Sequence, residues 1–430
     1  MRRSGATNAE GRAPDATAMH ARATARHRGA PGRALRLAVV CGLALAILLA
    51  IRARTAPLLP GHPDFANAWD HHKYIWMAEQ GPFGFHLAPF CWRIGTPLLA
   101  RLLPFSTPAS FGLIALLSLW ASAVAVYALA RRGGFAFAAG VTGMLLFLTQ
   151  GWMVRSNLYN IWKPDPLAAC ISLLAILAAL ERRHALFALL LALGVTVKES
   201  VLFVAPLHYA LATPRVWNAR ALGRTALLTL PAIAVLLALR ALIPMRNDDP
   251  AYIGALPDTL RIVQLDTSRY DLAWLWHALA VPRLRAFTPR DLVDGTIGVF
   301  GLAPLALACL APRRSLRTLA RWSPFLVLVA AQVLFATNAQ KLLALGFPFV
   351  VLAALGGADE TVRRLRAPWA AFGALALVLV ALSLTRSWIL IVPGRIQAAL
   401  LAACLAACAV WRWWNVKGGA GSQRSPRSSS

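Results

Sequence analysis

The residues best placed for acid–base chemistry lie in the segment WDHHKYIWMAE at 69–79. On an α-helix, Asp70, Lys73, Tyr74 and Met77 would share one face, because side chains three and four residues apart are neighbours. A carboxylate in such a position can act as a general base toward a hydroxyl group. The spacing leaves a second interpretation open, in which this is a solvated helix at a membrane interface and its aromatic residues anchor at the lipid headgroups.

The adjacent pair His71 and His72 is poorly placed to bind one metal ion. Neighbouring residues point about 100° apart on a helix, whereas two ligands of one metal prefer positions i and i+4. We therefore predict no zinc site. These histidines are expected to be polar interface residues or hydrogen-bond partners of Asp70.

The composition indicates a membrane protein. Of the 430 residues, 58% are hydrophobic and 14% are charged, and the mean hydropathy is +0.59. The net charge of +27 could suggest a nucleic-acid partner. However, the basic residues fall in short clusters between apolar runs, which is typical of membrane topology, so we expect no nucleic acid.

The apolar runs predict an all-α fold, a polytopic transmembrane bundle of about 12 helices with a range of 10–13. We predict a disordered cytoplasmic tail at 1–33, a multi-span membrane domain at 34–411 and a disordered basic cytoplasmic tail at 412–430. The predicted spans lie near 34–51, 109–130, 135–152, 166–180, 185–197, 199–213, 225–244, 295–311, 323–337, 341–356, 368–385 and 396–411.

Two long segments, 53–108 and 245–294, are predicted to be outer loops. The Lys and Arg residues of the short loops lie on the opposite side, so the positive-inside rule places both termini in the cytoplasm. Small amphipathic helices are expected at Asn67 to Gln80 and Leu272 to Leu284, and we expect function to reside in these outer loops.

The first loop resembles that of the GT-C superfamily of membrane glycosyltransferases. The resemblance is carried by WDHHKYIWMAE, with Asp70 and Tyr74, and by APFCWRIGTPLLARLLP, with Arg93. The superfamily includes protein O-mannosyltransferases, mannosyltransferases of glycolipid anchors and the aminoarabinose transferase of lipid A. Its members use sugars linked to lipid phosphates.

Three later segments also resemble this superfamily. LALGVTVKESVLFVAPL places Lys198 and Glu199 at a turn between two short helices, RSNLYNIWKPDPL contains Lys163 and Asp165, and NAQKLLALGFPFVVLAA contains Lys341. The topology puts all five residues on the outer side, together with Asp70 and Arg93. Lys341 replaces the commoner Arg, and the acidic residue that usually precedes it is missing.

The resemblance implies inverting transfer of a sugar from a polyprenyl-phosphate-linked donor to a glycan, lipid or protein acceptor at the outer face of the plasma (inner) membrane. The resemblance implies that Asp70 is the general base and that Asp165 is a second acidic residue with a catalytic role. Arg93, Lys198 and Lys341 would bind the leaving phosphate. Lys73, Tyr74, Lys163 and Glu199 would contribute to substrate binding. Some members of the superfamily use a divalent cation, Mg²⁺ or Mn²⁺, which would bind here through Asp70 and Asp165; nothing in this sequence specifies one, and we predict no metal ligand.

Each of these residues also has a simpler structural interpretation. Lys198 and Glu199 could form an ion pair within a tight turn, Lys341 could be a snorkelling anchor, and Asp165 could be a helix N-cap. Asp64, six residues before Asp70, could be the base instead.

Other functional classes compete with a glycosyltransferase. A secondary transporter fits the number of predicted spans, but transporters usually place charges near the membrane midplane and show repeated halves. A lipid-linked oligosaccharide polymerase or ligase and a noncatalytic scaffold are the further alternatives.

Overall fold

The computed structural model of the protein describes residues 30–67, 70–213, 215, 217–261, 273, 275–286, 288, 296, 298–335 and 339–365. Over these residues the chain is helical and has no β-strand, which confirms the all-α prediction. The predicted tail at 412–430 and the predicted spans at 368–385 and 396–411 lie outside the described residues. So does most of the tail predicted at 1–33, although the first helix already begins at Ala30.

The α-helices are numbered here in chain order. They are α1 (Ala30–Ala53), α2 (His71–Gln80), α3 (Gly95–Leu102), α4 (Thr107–Arg132), α5 (Phe137–Leu148), α6 (Ser156–Tyr159), α7 (Asp165–Leu180), α8 (His184–Val197), α9 (Val204–Ala212), α10 (Ala219–Leu242), α11 (Pro250–Ala255), α12 (Val281–Ala286), α13 (Leu302–Cys309), α14 (Pro312–Ala331), α15 (Ala339–Leu343) and α16 (Phe347–Leu365).

Four helices of the described part are long and apolar enough to cross a membrane: Ala34–Ala53, Thr107–Arg132, Ala219–Leu242 and Gln340–Arg363. A fifth span is possible if Phe137–Leu148 and Gly151–Tyr159, which meet at 60°, cross together. The helices at 165–180, 184–197 and 199–212 are apolar but shorter than a straight span needs. The predicted count of about twelve is therefore not confirmed.

The predicted span at 135–152 is broken at Gln150. The Gln150 side chain accepts a hydrogen bond from the Met153 amide and donates one of 2.8 Å to the Val299 carbonyl. A π-helical turn at Gly151–Arg155 follows, so the chain changes direction here. Hydropathy did not reveal this bend, because apolar residues continue on both sides of it.

The beginning of the second predicted outer loop packs on the first one. The Asn247 side chain accepts a hydrogen bond of 2.8 Å from the Ala88 amide. The Trp92 indole donates one of 3.1 Å to the Ile243 carbonyl. Both segments contribute to a second hydrophobic core, separate from the core of the helix bundle. We call this region of the molecule the loop end.

Several helices run between the loop end and an opposite end, which we call the arginine end. Helix α4 begins just after the first loop and finishes at Arg131 and Arg132. Helix α7 leaves the loop end at Asp165 and is followed by Glu181, whose carboxylate pairs with Arg132 at 2.5 Å. A helix of 26 residues is about 39 Å long at 1.5 Å per residue, so the two ends are well separated.

Candidate active site

Asp165 lies at the centre of a buried ion cluster. Its Oδ1 atom is 2.6 Å from Lys198 Nζ and its Oδ2 atom is 3.1 Å from Lys341 Nζ. The Asp165 side chain is only 8% exposed, so water cannot replace these partners. It is the first residue of α7, and the N-cap position that the simpler interpretation gave to Asp165 is occupied by Pro164. Each carboxylate oxygen therefore holds one lysine from a distant part of the chain.

The second carboxylate of the cluster belongs to Glu199. Lys198 has an extended backbone, with φ of −163° and ψ of 136°, between α8 and the 3-10 helix Glu199–Phe203. Because adjacent side chains of an extended chain point in opposite directions, Lys198 and Glu199 do not pair with each other. Glu199 instead accepts a hydrogen bond of 3.1 Å from Arg93 Nε.

Helix α2 also contributes side chains to the cluster. Lys73, Tyr74 and Met77 are buried, so this helix packs into the second core instead of lying exposed at an interface. The Lys73 ammonium is 4.8 Å from the centre of the Phe90 ring, and the Arg93 guanidinium is 5.8 Å from it. Phe90 is thus a shared platform for two cations. This role was not predicted, since a lone Phe in an apolar loop has no distinctive pattern.

Asp70 is the N-cap residue of α2, but its side chain makes no capping hydrogen bond. It is half-buried, and within the described part of the chain no hydrogen bond or ion pair of its carboxylate is found. Burial lowers the pKa of Lys73 and of Lys163, and the Asp70 charge opposes this shift in both, so Asp70 lies within electrostatic range of the two lysines. Asp70 is therefore a carboxylate in a cationic environment with its oxygens available to a substrate.

Lys163 is a strongly perturbed cation of the site. It lies in the loop before α7. Burial and the neighbouring Lys341 ammonium lower its pKa to about 7, although the Asp165 and Asp70 carboxylates oppose this shift. Lys163 can thus gain or lose a proton near neutral pH. A ligand with negative charge would favour the protonated form.

Tyr74 and His71 remain neutral near pH 7. Burial raises the pKa of the Tyr74 hydroxyl, an effect that the Arg93 guanidinium only partly offsets. Burial and the adjacent His72 lower the pKa of His71 to about 4. His71 Nε2 is 3.0 Å from the Phe65 carbonyl oxygen. Neither group adds charge to the cluster.

Asp64, the alternative base, has a different environment. Its Oδ2 atom accepts a hydrogen bond of 2.8 Å from the Tyr159 hydroxyl, and the side chain is 50% exposed. Asp64 is therefore tied to the chain segment that precedes the Lys163 loop.

A divalent cation does not fit the pair Asp70 and Asp165. Both oxygens of Asp165 already face lysine ammonium groups, which would repel a metal ion. Among the described residues there is also no group of three or more His, Cys, Asp or Glu side chains that could hold a metal.

Gly95 explains why the first loop can approach α8 so closely. A Cβ atom at this position would lie 2.6 Å from Thr196 Oγ1 and 2.8 Å from Val197 Cγ2. Only glycine leaves room for this contact, which brings Arg93 to Glu199. The glycine of the RIGTP segment indicates that the backbone is closely approached there, although spacing alone does not show which helix Gly95 faces.

All nine predicted site residues are therefore found in or beside one cluster at the loop end. The members are Asp70, Lys73, Tyr74, Arg93, Lys163, Asp165, Lys198, Glu199 and Lys341. Five are cations and three are carboxylates, and two of those carboxylates are engaged by cations. Such an excess of positive charge suits a phosphate-bearing ligand.

Comparison with known proteins yields no family for this chain. No family model matches it, and no curated protein matches it either. Among solved structures, it is similar to the apo crystal structure of the oligosaccharyltransferase of Archaeoglobus fulgidus, with 14% sequence identity and a TM-score of 0.43. The match covers 86% of this chain but 56% of the other, so the chain spans little more than half the length of that neighbour. A similarity at this level carries no argument about activity.

Proposed function

We propose that the protein is a membrane glycosyltransferase that moves a sugar from a polyprenyl-phosphate-linked donor to an acceptor hydroxyl. The observation that carries this proposal is the contrast between the carboxylates: Asp70 has its oxygens available, whereas Asp165 and Glu199 are held by cations. A group-transfer enzyme of this kind needs one available base beside a cationic phosphate site. The cluster supplies both.

In the proposed reaction, the acceptor oxygen attacks the anomeric carbon while Asp70 removes its proton. The bond between that carbon and the phosphate oxygen breaks, and the lipid phosphate leaves with the electron pair. Direct displacement inverts the anomeric centre, and no covalent enzyme intermediate forms. No step requires a metal ion.

The cations divide into two groups by their contacts. Lys198 and Lys341 are oriented by Asp165, and Arg93 is oriented by Glu199. All three are candidates to stabilise the negative charge that develops on the departing phosphate. Arg93 is held by Glu199 through Nε and by a hydrogen bond with Tyr74. In this proposal its guanidinium also makes a two-pronged contact with the phosphate. In this proposal Asp165 is a positioning residue.

The proposed site works at the extracytoplasmic face of the plasma (inner) membrane, with both termini in the cytoplasm. The support is the separation of charge along the helices, since Arg131, Arg132 and Arg183 gather at the arginine end, away from the cluster. By the positive-inside rule, that end faces the cytoplasm.

The proposal is tested by measuring the transfer of radiolabelled sugar from polyprenyl-phosphate sugars to membrane acceptors. Wild type is compared with Asp70→Asn, and Asp64→Asn serves as the matched control because it changes a nearby carboxylate outside the cluster. We expect Asp70→Asn alone to lose transfer. Equal transfer by Asp70→Asn and wild type would remove Asp70 from catalysis. Failure of wild type with every donor would refute the glycosyltransferase assignment and favour a transporter.

A further inference from the structure

A cavity of about 640 Å³ opens at the arginine end, far from the candidate active site. It lies between the first turns of α1, the C-terminal part of α4 and the start of α5. Its polar wall is formed by Arg36, Arg131 and Arg132. Its apolar wall is formed by Leu37, Tyr127 and Phe137. The proposed transfer reaction makes no use of this cavity.

The arginines of this cavity carry an excess of positive charge. Glu181, the acidic residue of the lining, is already engaged by Arg132 at 2.5 Å and by Arg183 at 2.9 Å. Arg36 stacks over the Phe137 ring at 5.7 Å, and Arg131 donates a hydrogen bond to the Phe135 carbonyl. No ion pair of Arg36 or Arg131 is found among the described residues. Both guanidinium groups therefore retain donors for an anion.

The apolar wall continues onto a surface that suits hydrocarbon. The first candidate span, Ala34–Ala53, has only 22% of its apolar window buried within the protein. Leu35 and Leu37 at its start are 67% and 49% exposed. An occupant with an anionic head and an acyl chain would thus meet arginines and exposed leucines side by side. A free phosphate ion would use only the arginines.

We propose that this cavity binds an anionic phospholipid of the surrounding membrane. The phosphodiester lies between Arg36 and Arg131, and an acyl chain runs along Leu37 and the neighbouring surface of α1. Basic pockets between transmembrane helices commonly bind such headgroups. The site is independent of the cluster around Asp165, because it lies at the opposite end of α4 and α7.

The test is native mass spectrometry of the delipidated full chain, titrated with phosphatidylglycerol or with phosphatidylcholine of the same acyl chains. We expect phosphatidylglycerol to bind more tightly. The Arg36→Gln variant should weaken its binding about fivefold, and Arg36→Gln with Arg131→Gln about thirtyfold, if each arginine contributes as lysines and arginines near a membrane surface usually do. Arg36→Lys should retain most of the binding.

The matched control is the double variant Arg220→Gln with Arg317→Gln, which removes two exposed arginines of the same end that do not line the cavity. It should bind phosphatidylglycerol like wild type. Because Arg36 is exposed and makes no hydrogen bond or ion pair in the described part of the chain, Arg36→Gln is expected to fold, and an unchanged thermal midpoint checks this. Equal affinity for the two lipids, equal loss in the control, or competition by millimolar inorganic phosphate alone would overturn the proposal.

Discussion

Asp165 and Asp70 are both carboxylates of the cluster, yet their neutralisation should have different consequences for stability. The Asp165→Asn variant removes the negative charge that faces Lys198 at 2.6 Å and Lys341 at 3.1 Å. It leaves two buried ammonium groups without their counter-ion. Breaking a buried ion pair in this way typically costs about 3–5 kcal/mol of unfolding free energy. That is a large part of the stability of an ordinary domain, which is about 5–15 kcal/mol.

The Asp70→Asn variant should leave stability nearly unchanged. Asp70 is half-buried, and its carboxylate holds no cation at ion-pair distance in the described chain. Its charge favours the protonated forms of Lys73 and Lys163 only at longer range, so its removal should cost much less unfolding free energy than the loss of the contact ion pairs of Asp165. If Asp70 is the general base, its loss should slow transfer about 10²–10⁴-fold, which corresponds to about 3–5 kcal/mol of activation free energy. The two variants therefore separate positioning from catalysis.

Two measurements on the same purified protein decide between these roles. Tryptophan fluorescence during thermal unfolding in detergent reports stability, and transfer of radiolabelled sugar reports activity. We expect Asp165→Asn to lower both and Asp70→Asn to lower only the second. A thermal midpoint that falls equally in the two variants would refute the distinction between an available and an engaged carboxylate. A stable, fully active Asp165→Asn variant would refute the organising role of the ion cluster.

Three further predictions concern other members of the site. Because the pKa of Lys163 is lowered to about 7, its charge is present below that pH and lost above it. We therefore expect kcat/KM for the donor to fall as pH rises through about 7, and Lys163→Arg to abolish this fall between pH 6 and 8. Arg93→Lys keeps a charge but loses the two-pronged contact. It should lower kcat/KM about tenfold or more, whereas the control Arg101→Lys, which changes an arginine outside the cluster, should not. Gly95→Ala forces a contact of 2.6 Å with Thr196 and should cost about 1–3 kcal/mol, measured as a lower thermal midpoint.

The sequence predicted which residues would gather better than it predicted how they would pair. The predicted topology placed four residues on the same side of the membrane, and the structure brings them together: Lys163, Asp165, Lys198 and Lys341. The alternative interpretation, an ion pair between Lys198 and Glu199, does not hold, because the extended backbone at Lys198 turns the two side chains apart. Partners that are distant in the chain depend on helix packing, which a single sequence does not disclose.

The number of membrane spans was harder to predict for a related reason. An apolar run shows that a segment avoids water, but it does not show whether the segment is straight. The run at 135–152 is bent at Gln150, whose side chain replaces backbone hydrogen bonds with its own. Short helices such as α7 and α8 are equally apolar, yet each is too short to cross a bilayer without tilting or thinning it.

The excess of cations in the cluster connects its stability to the proposed function. Burying unpaired positive charge is costly, and a protein under selection for stability alone would be expected to replace it with apolar residues. Here Asp165 and Glu199 offset part of the charge, and the lowered pKa of Lys163 relieves more of it by releasing a proton near neutral pH. A donor phosphate would supply the missing negative charge and return that proton to Lys163. In the proposed reaction the phosphate gains negative charge as its bond to the sugar breaks, so the cations hold it more strongly in the transition state than in the bound donor. Only this difference accelerates the cleavage.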